Sequence, residues 1–290
     1  MRIKLISIIN VLSFKGFHLK KIPVLFLGIL ATGLHAACPD GKTYKVTLTF
    51  DDGPHAVMTP KVLDVLKEEK VPGTFFVLGS RFAGGKANPA TKTAYSILER
   101  AKREGHYIGS HTYEHLNHPN FSEEKIRTNI RKTNPLLKDY LSPVLRLPYG
   151  AGSFRSSNAA VQKKNDFIMK TVKEAGFSHV GWDIDTNDWD AKKRPTLLPT
   201  MLRNICATKG GVILFHDIQA NTVEHLKEWI QAIKKEGHEL VALDDPNLGG
   251  RFKFSNLNRP LPPEVCEDGV TPKAVKELDD SVKKVIKKIK

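Results

Sequence analysis

The chain has 290 residues, 45 Lys and Arg against 31 Asp and Glu for a formal net charge of +14, and 40% apolar residues. That length allows one large domain or two small ones, and the ordinary composition without a low-complexity tract places the chain among globular proteins. The basic excess suits anionic partners, but no nucleic-acid motif or aromatic-interleaved basic patch accompanies it, so nucleic acid is not expected.

The first segment differs from the rest. Arg2, Lys4, Lys15, Lys20 and Lys21 precede an apolar run from Ile22 to Leu34, and no acidic residue occurs before Asp40. A basic region, a short apolar core and the small pair Ala36-Ala37 predict a secretory signal peptide over 1–37. The run is short for a bilayer span, which takes about 20 residues, although an uncleaved anchor is the alternative. Cys38 follows directly and allows lipoprotein processing, except that His35 stands where a small residue is wanted. Loss of those five basic residues lowers the charge from +14 to +9, which still suits an anionic wall. The expected location is therefore secreted, periplasmic or cell-envelope. In an exported chain, Cys38, Cys206 and Cys266 predict one disulfide and one cysteine left over; Cys38 with Cys266 is favoured because the two flank the central domain.

From Tyr44 onward short apolar runs alternate with amphipathic helical patterns. The strand candidates are "YKVTLTF", "TFFVLG", "HYIGSH", "PVLRLP", "HVGWDI", "GVILFH" and "ELVAL", with a helical stretch in each gap. Strict alternation predicts a parallel sheet covered by helices, open or closed into a barrel. "FAGGKANPATK" after the second strand reads as a loop insertion. The domain spans 38–245. Beyond it, 246–290 is an extension that begins turn-rich and wraps the surface, then ends in a basic amphipathic helix with Val275, Leu278, Val282, Val285, Ile286 and Ile289 at helical spacing. That helix docks on the domain or binds an anionic wall or membrane surface.

In parallel α/β proteins ligands bind at the carboxyl ends of strands, and the polar residues of this chain fall there. Asp51 and Asp52 end the first strand, His111 the third with His115 four residues later, Arg146 the fourth, "DIDTNDW" the fifth, and His216 with Asp217 the sixth. Two adjacent carboxylates are costly to bury unless something neutralises them; a solvated turn is the plain alternative. "HTYEH" is not the helical H-E-x-x-H pattern of zinc proteases, but two imidazoles and a nearby carboxylate make a three-ligand set for a catalytic metal. Such a cation would offset one carboxylate and leave the other ionised.

"TFDDGP", "HTYEH", "RLPYG", "DTNDW" and "ILFHD", in this order, resemble the five motifs of the polysaccharide deacetylases of the NodB-homology type, the family-four carbohydrate esterases. The resemblance covers about Tyr44 to Leu243. It implies an irregular seven-stranded (β/α) barrel, in accord with the seven strand candidates. It further implies that Asp52, His111 and His115 hold one divalent metal, most often zinc, with Asp51 as general base and Arg146 orienting it. The backbone N–H of Tyr149 would help form the oxyanion hole. Trp189, Leu214 and Pro148 would line the substrate pocket, and His216 would be the general acid with Asp188 setting its protonation.

Amide hydrolysis needs such a set: a nucleophile near neutral pH, a base for the water proton, oxyanion stabilisation and a cationic acid for the amine. Leu147 stands where the family often has proline and Lys192 where it often has arginine, the latter weakening support behind His216. Asp183, Asp185 and Asp190 read as solvated loop acids, and Asp217 as a cap for the following helix. The expected activity is removal of acetyl groups from an N-acetylated polysaccharide, cell-wall peptidoglycan first. Chitin or poly-N-acetylglucosamine, acetylated xylan, and a glycan-binding pseudoenzyme without turnover are the alternatives.

Overall fold

The computed structural model describes residues 38–152 and 155–261. The expected signal peptide, Cys266 and the helical pattern over 273–290 lie outside them. Strands β1 (Lys45–Asp51), β2 (Gly73–Val77), β3 (Tyr107–Ser110), β4 (Val144–Leu145), β5 (Ser178–His179), β6 (Ile184–Asp185), β7 (Gly211–His216) and β8 (Glu239–Leu240) form one parallel sheet. Its order is β5-β4-β3-β2-β1-β7-β6, and β8 pairs with the start of β1. Helices α1 (Met58–Glu69), α2 (Lys92–Arg103), α3 (Glu123–Arg131), α4 (Asn134–Leu137), α5 (Ala159–Glu174), α6 (Leu197–Thr208) and α7 (Ala220–Lys235) fill the connections.

The period of two along β1 sets the layers. Val46, Leu48 and Phe50 point to the helices and join the main core, in contact range of Phe75 and Phe215 on the neighbouring strands. Thr47, Thr49 and Asp51 therefore point to the inner face. A sheet buried on both faces reads as a nearly continuous apolar run, as β2 and β7 do, and β1 is buried on both faces with threonine inward. The stretch predicted as one helix between β3 and β4 breaks after Arg131, and α4 restarts at Asn134-Pro135, where proline fits a first helical turn.

"HVGWDI", predicted as one strand, is two. β5 and β6 sit at opposite edges of the sheet, joined by Val180–Asp183. Five Cα steps reach at most about 18 Å, so this connection holds the edges near each other and curls the sheet into a half-barrel with a seam. Gly181 leaves room for the Phe252 ring in it: a Cβ there would lie 2.5 Å from Cζ of Phe252.

The start of the extension departs from the expected surface wrap. Leu248 and Leu257 are buried in a second apolar cluster with Phe76, Val144, Val180, Val212 and Leu243, and Phe252 and Phe254 pack on it. Phe76 and Val212 belong to the inward parity of β2 and β7, so the extension plugs the half-barrel on its inner face. Asp183, expected in solvent, has its side chain buried in the same region, where it accepts from the backbone N–H of Val212 (3.0 Å) and of Arg251 (3.0 Å). The disulfide joins Cys38 to Cys206, not to Cys266: the start of the described chain lies against the last turn of α6, with a Cα separation of 5.3 Å that suits the bond.

Candidate active site

Register brings the strand-end residues to one level. Asp51 pairs with His216 across β1 and β7 and with Phe76 across β1 and β2. Four of the loops leaving the site each carry one residue in the left-handed region: Asp52 (φ 74), Thr112 (φ 68), Tyr149 (φ 58) and Asn187 (φ 51). Non-glycine residues hold that conformation only where their surroundings enforce it, and such positions cluster at functional sites.

The left-handed turn at Asp52 separates the two carboxylates. Asp51, still on the strand, accepts a hydrogen bond from Arg146 Nη1 at 2.8 Å. Arg146 is fully buried and each polar group has a partner: Nη1 also donates to Thr49 Oγ1 (2.8 Å), Nε to the Val180 carbonyl (3.2 Å) and Nη2 to the Gly181 carbonyl (2.9 Å). Its guanidinium lies 4.3 Å from the centre of the Phe76 ring and 5.8 Å from that of Trp182. Arg146 thus ties the seam of the barrel to Asp51.

Asp52 turns the other way. Its Oδ1 stands 3.3 Å from Nε2 of His111 and 3.3 Å from Nε2 of His115. His111 Nδ1 lies 2.8 Å from the Arg146 carbonyl, so this nitrogen carries the proton and Nε2 presents its lone pair. Burial, then the neighbouring His111, push His115 down and favour its neutral form. Burial by itself would raise Asp52, but the imidazoles of His111, His115 and His216 that face it bring it to about 2. Asp52 Oδ1 is buried and has no hydrogen-bond partner among the described residues. One carboxylate and two imidazoles, their ligand atoms within 4.8 Å of one another, are a donor set that fits a divalent cation.

On the opposite side His216 Nδ1 meets Asp188 Oδ1 at 2.7 Å. Burial works against its charge, but the hydrogen bond and charge of Asp188 prevail and push it up to about 9. Asp188 is itself held by the His216 backbone N–H (2.7 Å), the Thr222 hydroxyl and Asn221 Nδ2 (3.4 Å, to the carbonyl). The concern over Lys192 therefore has another answer, since the first turn of α7 supplies the support. Trp189 is 57% and Tyr149 64% exposed, whereas Pro148 and Leu214 are buried. The Tyr149 ring stands edge-on to His115 at 4.6 Å.

Asp217 does not cap α7, whose N-cap is Gln219. It is fully buried, accepts from Thr59 Oγ1 at 2.5 Å and sits against Gly53, the residue after Asp52. Burial, and beyond it the charges of Asp52 and Asp51, raise it to about 7. Thr49, Thr59, Asn129 and Thr222 were not singled out in the sequence. Thr49 had a signal, as the residue two before Asp51 on the same strand face.

Residues 39–171 match the family model described as polysaccharide deacetylase. A peptidoglycan-N-acetylglucosamine deacetylase of Bacillus cereus is 31% identical over 206 residues, 69% of this chain and 86% of that one. The chain belongs to the polysaccharide deacetylase family. The peptidoglycan-N-acetylglucosamine deacetylase PgdA of Listeria monocytogenes is 34% identical over 211 residues, which is 71% of this chain but 40% of the relative, so the chain spans less than half the length of that family member. The crystal structure of the Bc1960 peptidoglycan N-acetylglucosamine deacetylase superposes with a TM-score of 0.53 at 31% identity, covering 70% of this chain and 87% of the other. The half-barrel is the NodB-type (β/α) barrel that the motifs implied.

Proposed function

We propose that this protein is an exported, metal-dependent deacetylase that removes acetyl groups from N-acetylated amino sugars of a polysaccharide, cell-wall peptidoglycan first, and releases acetate. The observation that carries the reading is the division of the adjacent carboxylates, Asp52 toward two imidazoles and Asp51 toward a buried guanidinium. The names of the relatives support the substrate class. The charge of +9 left after loss of 1–37 supports an anionic wall as the working surface.

Asp52, His111 and His115 would hold the cation, zinc in this reading. When bound, it supplies Lewis acidity to the amide carbonyl and lowers the pKa of water. Asp51 takes the proton of the attacking water; Arg146 fixes its Oδ1, leaving Oδ2 for the reaction. The backbone N–H of Tyr149 donates to the developing oxyanion. His216, protonated near neutral pH through Asp188, gives its Nε2 proton to the departing amine. Trp189, Leu214 and Pro148 wall the acetyl group.

The test is acetate release from purified peptidoglycan, chitin oligomers and acetylxylan, with and without a chelator. Release from an N-acetylated glycan that stops with chelation, and falls by roughly 10³-fold or more in Asp51→Asn, is the expected result. Release that survives the chelator, or full activity in Asp51→Asn, would overturn the mechanism.

A further inference from the structure

The loop that carries His111 and His115 is shaped from outside itself. Between the two imidazoles the chain turns through Thr112, a β-branched residue at φ 68, which an isolated peptide avoids. Within the loop the Thr112 hydroxyl donates to the Glu114 carbonyl (2.9 Å), and the Thr112 N–H donates to Ser110 Oγ (3.1 Å). The carbonyls of Thr112 and Tyr113 accept from the Gly79 and Ser80 N–H (2.9 and 2.8 Å), and the amides at 113 and 114 turn to one residue of α3, Asn129, which is 2% exposed.

In the amide orientation that satisfies its neighbours, Asn129 Oδ1 accepts from the Glu114 N–H at 3.0 Å. Its Nδ2 faces Thr112 Oγ1 (3.0 Å), the Glu114 carbonyl (3.0 Å) and His118 Nε2 (3.1 Å), sharing two hydrogens among three acceptors. The Asn129 backbone carbonyl accepts from the Tyr113 N–H at 2.9 Å. That carbonyl lies in the last turn of α3, where intrahelical donors run out, so the helix end offers it to the loop. Two successive loop amides, at 113 and 114, are thus read by one residue. Ile126 and Ile130 on the same stripe of α3 are fully buried and fix the depth of Asn129.

We infer that Asn129 is a positioning residue for the metal site, holding the His111-to-His115 turn in the strained geometry that lets both imidazoles reach one cation. The inference rests on the metal reading above. It assigns to α3 what the first metal ligands cannot do for themselves, since a turn with an unfavourable residue relaxes when its outside partner is removed.

The experiment compares wild type, Asn129→Ala and Asn129→Asp by competition for Zn²⁺ against a chromophoric chelator, with Co²⁺ absorption as a second readout of geometry. Melting of each variant in chelator separates folding from affinity. The expected result is a loss of metal affinity of about 10–100-fold in Asn129→Ala, with an altered Co²⁺ spectrum. Asn129→Asp keeps the acceptor for the Glu114 N–H and loses the donor, so its loss is smaller. If Asn129→Ala does not fold, the nearly isosteric Asn129→Asp decides, with weakened affinity in its favour. Affinity equal to wild type in a folded variant, even one with a lowered melting temperature, would make Asn129 a structural residue only and overturn the inference. Failure of the wild type to bind either metal would instead overturn the metal reading, and this inference with it.

Discussion

The pair Asp51 and Asp52 shows how one backbone angle assigns two chemistries to neighbouring residues. The residue before the turn keeps the strand's inward direction and meets Arg146; the residue at φ 74 leaves it and meets the imidazoles. The sequence displayed the pair and its motif, so the candidate site was legible. What holds each member was not: Asp217 and Thr59 are 158 positions apart and meet only in the fold. Gly53 is the consequence. An added Cβ would lie 2.3 Å from Asp217 Oδ2 and 2.8 Å from its Cγ, against a carboxyl that has no room to retreat. Gly53→Ala is expected to cost about 1–3 kcal/mol or more through overpacking, read by urea unfolding in the presence of chelator. Unchanged stability would mean that the loop moves freely, contrary to this packing.

His216 provides a second prediction at this scale. Its cationic form depends on the Asp188 charge at Nδ1, which brings it from the ordinary 6.5 to about 9. In Asp188→Asn the charge is gone, and the alkaline limb of the kcat/KM profile should move down toward the ordinary imidazole value. The rate at the optimum should fall by about 10²–10⁴, the range for a lost general acid or a wrong tautomer. A limb that stays in place in the folded variant would remove His216 as the proton donor.

At the scale of elements, the strands that were legible are those whose composition betrays burial on both faces. "VTLTF", "TFFV" and "GVILFH" hold only apolar residues and threonine before their last position, and they became β1, β2 and β7. "HVGWDI" misled because an apolar run does not reveal that the chain dips between two sheet edges, and the cause, Arg146 binding the Val180 and Gly181 carbonyls, lies about 35 residues upstream. The extension misled for another reason: its Pro, Gly and Asn content is that of a loop, while two leucines carry the burial. Leu248→Ala or Leu257→Ala distinguishes the alternatives. As an inner plug each should cost about 2–5 kcal/mol, measured by denaturant unfolding, whereas a surface wrap would leave stability within about 0.5 kcal/mol.

For the whole molecule, the pattern of alternation and the order of motifs gave the barrel, but cysteine pairing required the fold, because spacing along the chain says little about distance across it. Titration likewise belongs to the whole. Burial holds the imidazoles of His106, His118 and His179 at about 4. In the unfolded chain each titrates near 6.5. Between those values the unfolded state binds more protons, so stability is fully present above about pH 6.5 and is lost as pH falls toward 4. Asp217 works in the opposite sense: raised to about 7, it makes the folded state bind the extra proton over much of the same range and offsets one of the three. Above pH 6.5, His216, raised to about 9, contributes stability that fades as pH climbs through that value. With the metal removed, the melting temperature should therefore peak near pH 6.5 and decline on both sides. The acid side should carry a net uptake of protons on unfolding. Urea unfolding at steps from pH 4 to 9 measures both limbs, and His106→Gln should shallow the acid one. A flat profile between pH 4 and 6.5 would show that the buried imidazoles are already protonated in the folded protein, against their apolar surroundings.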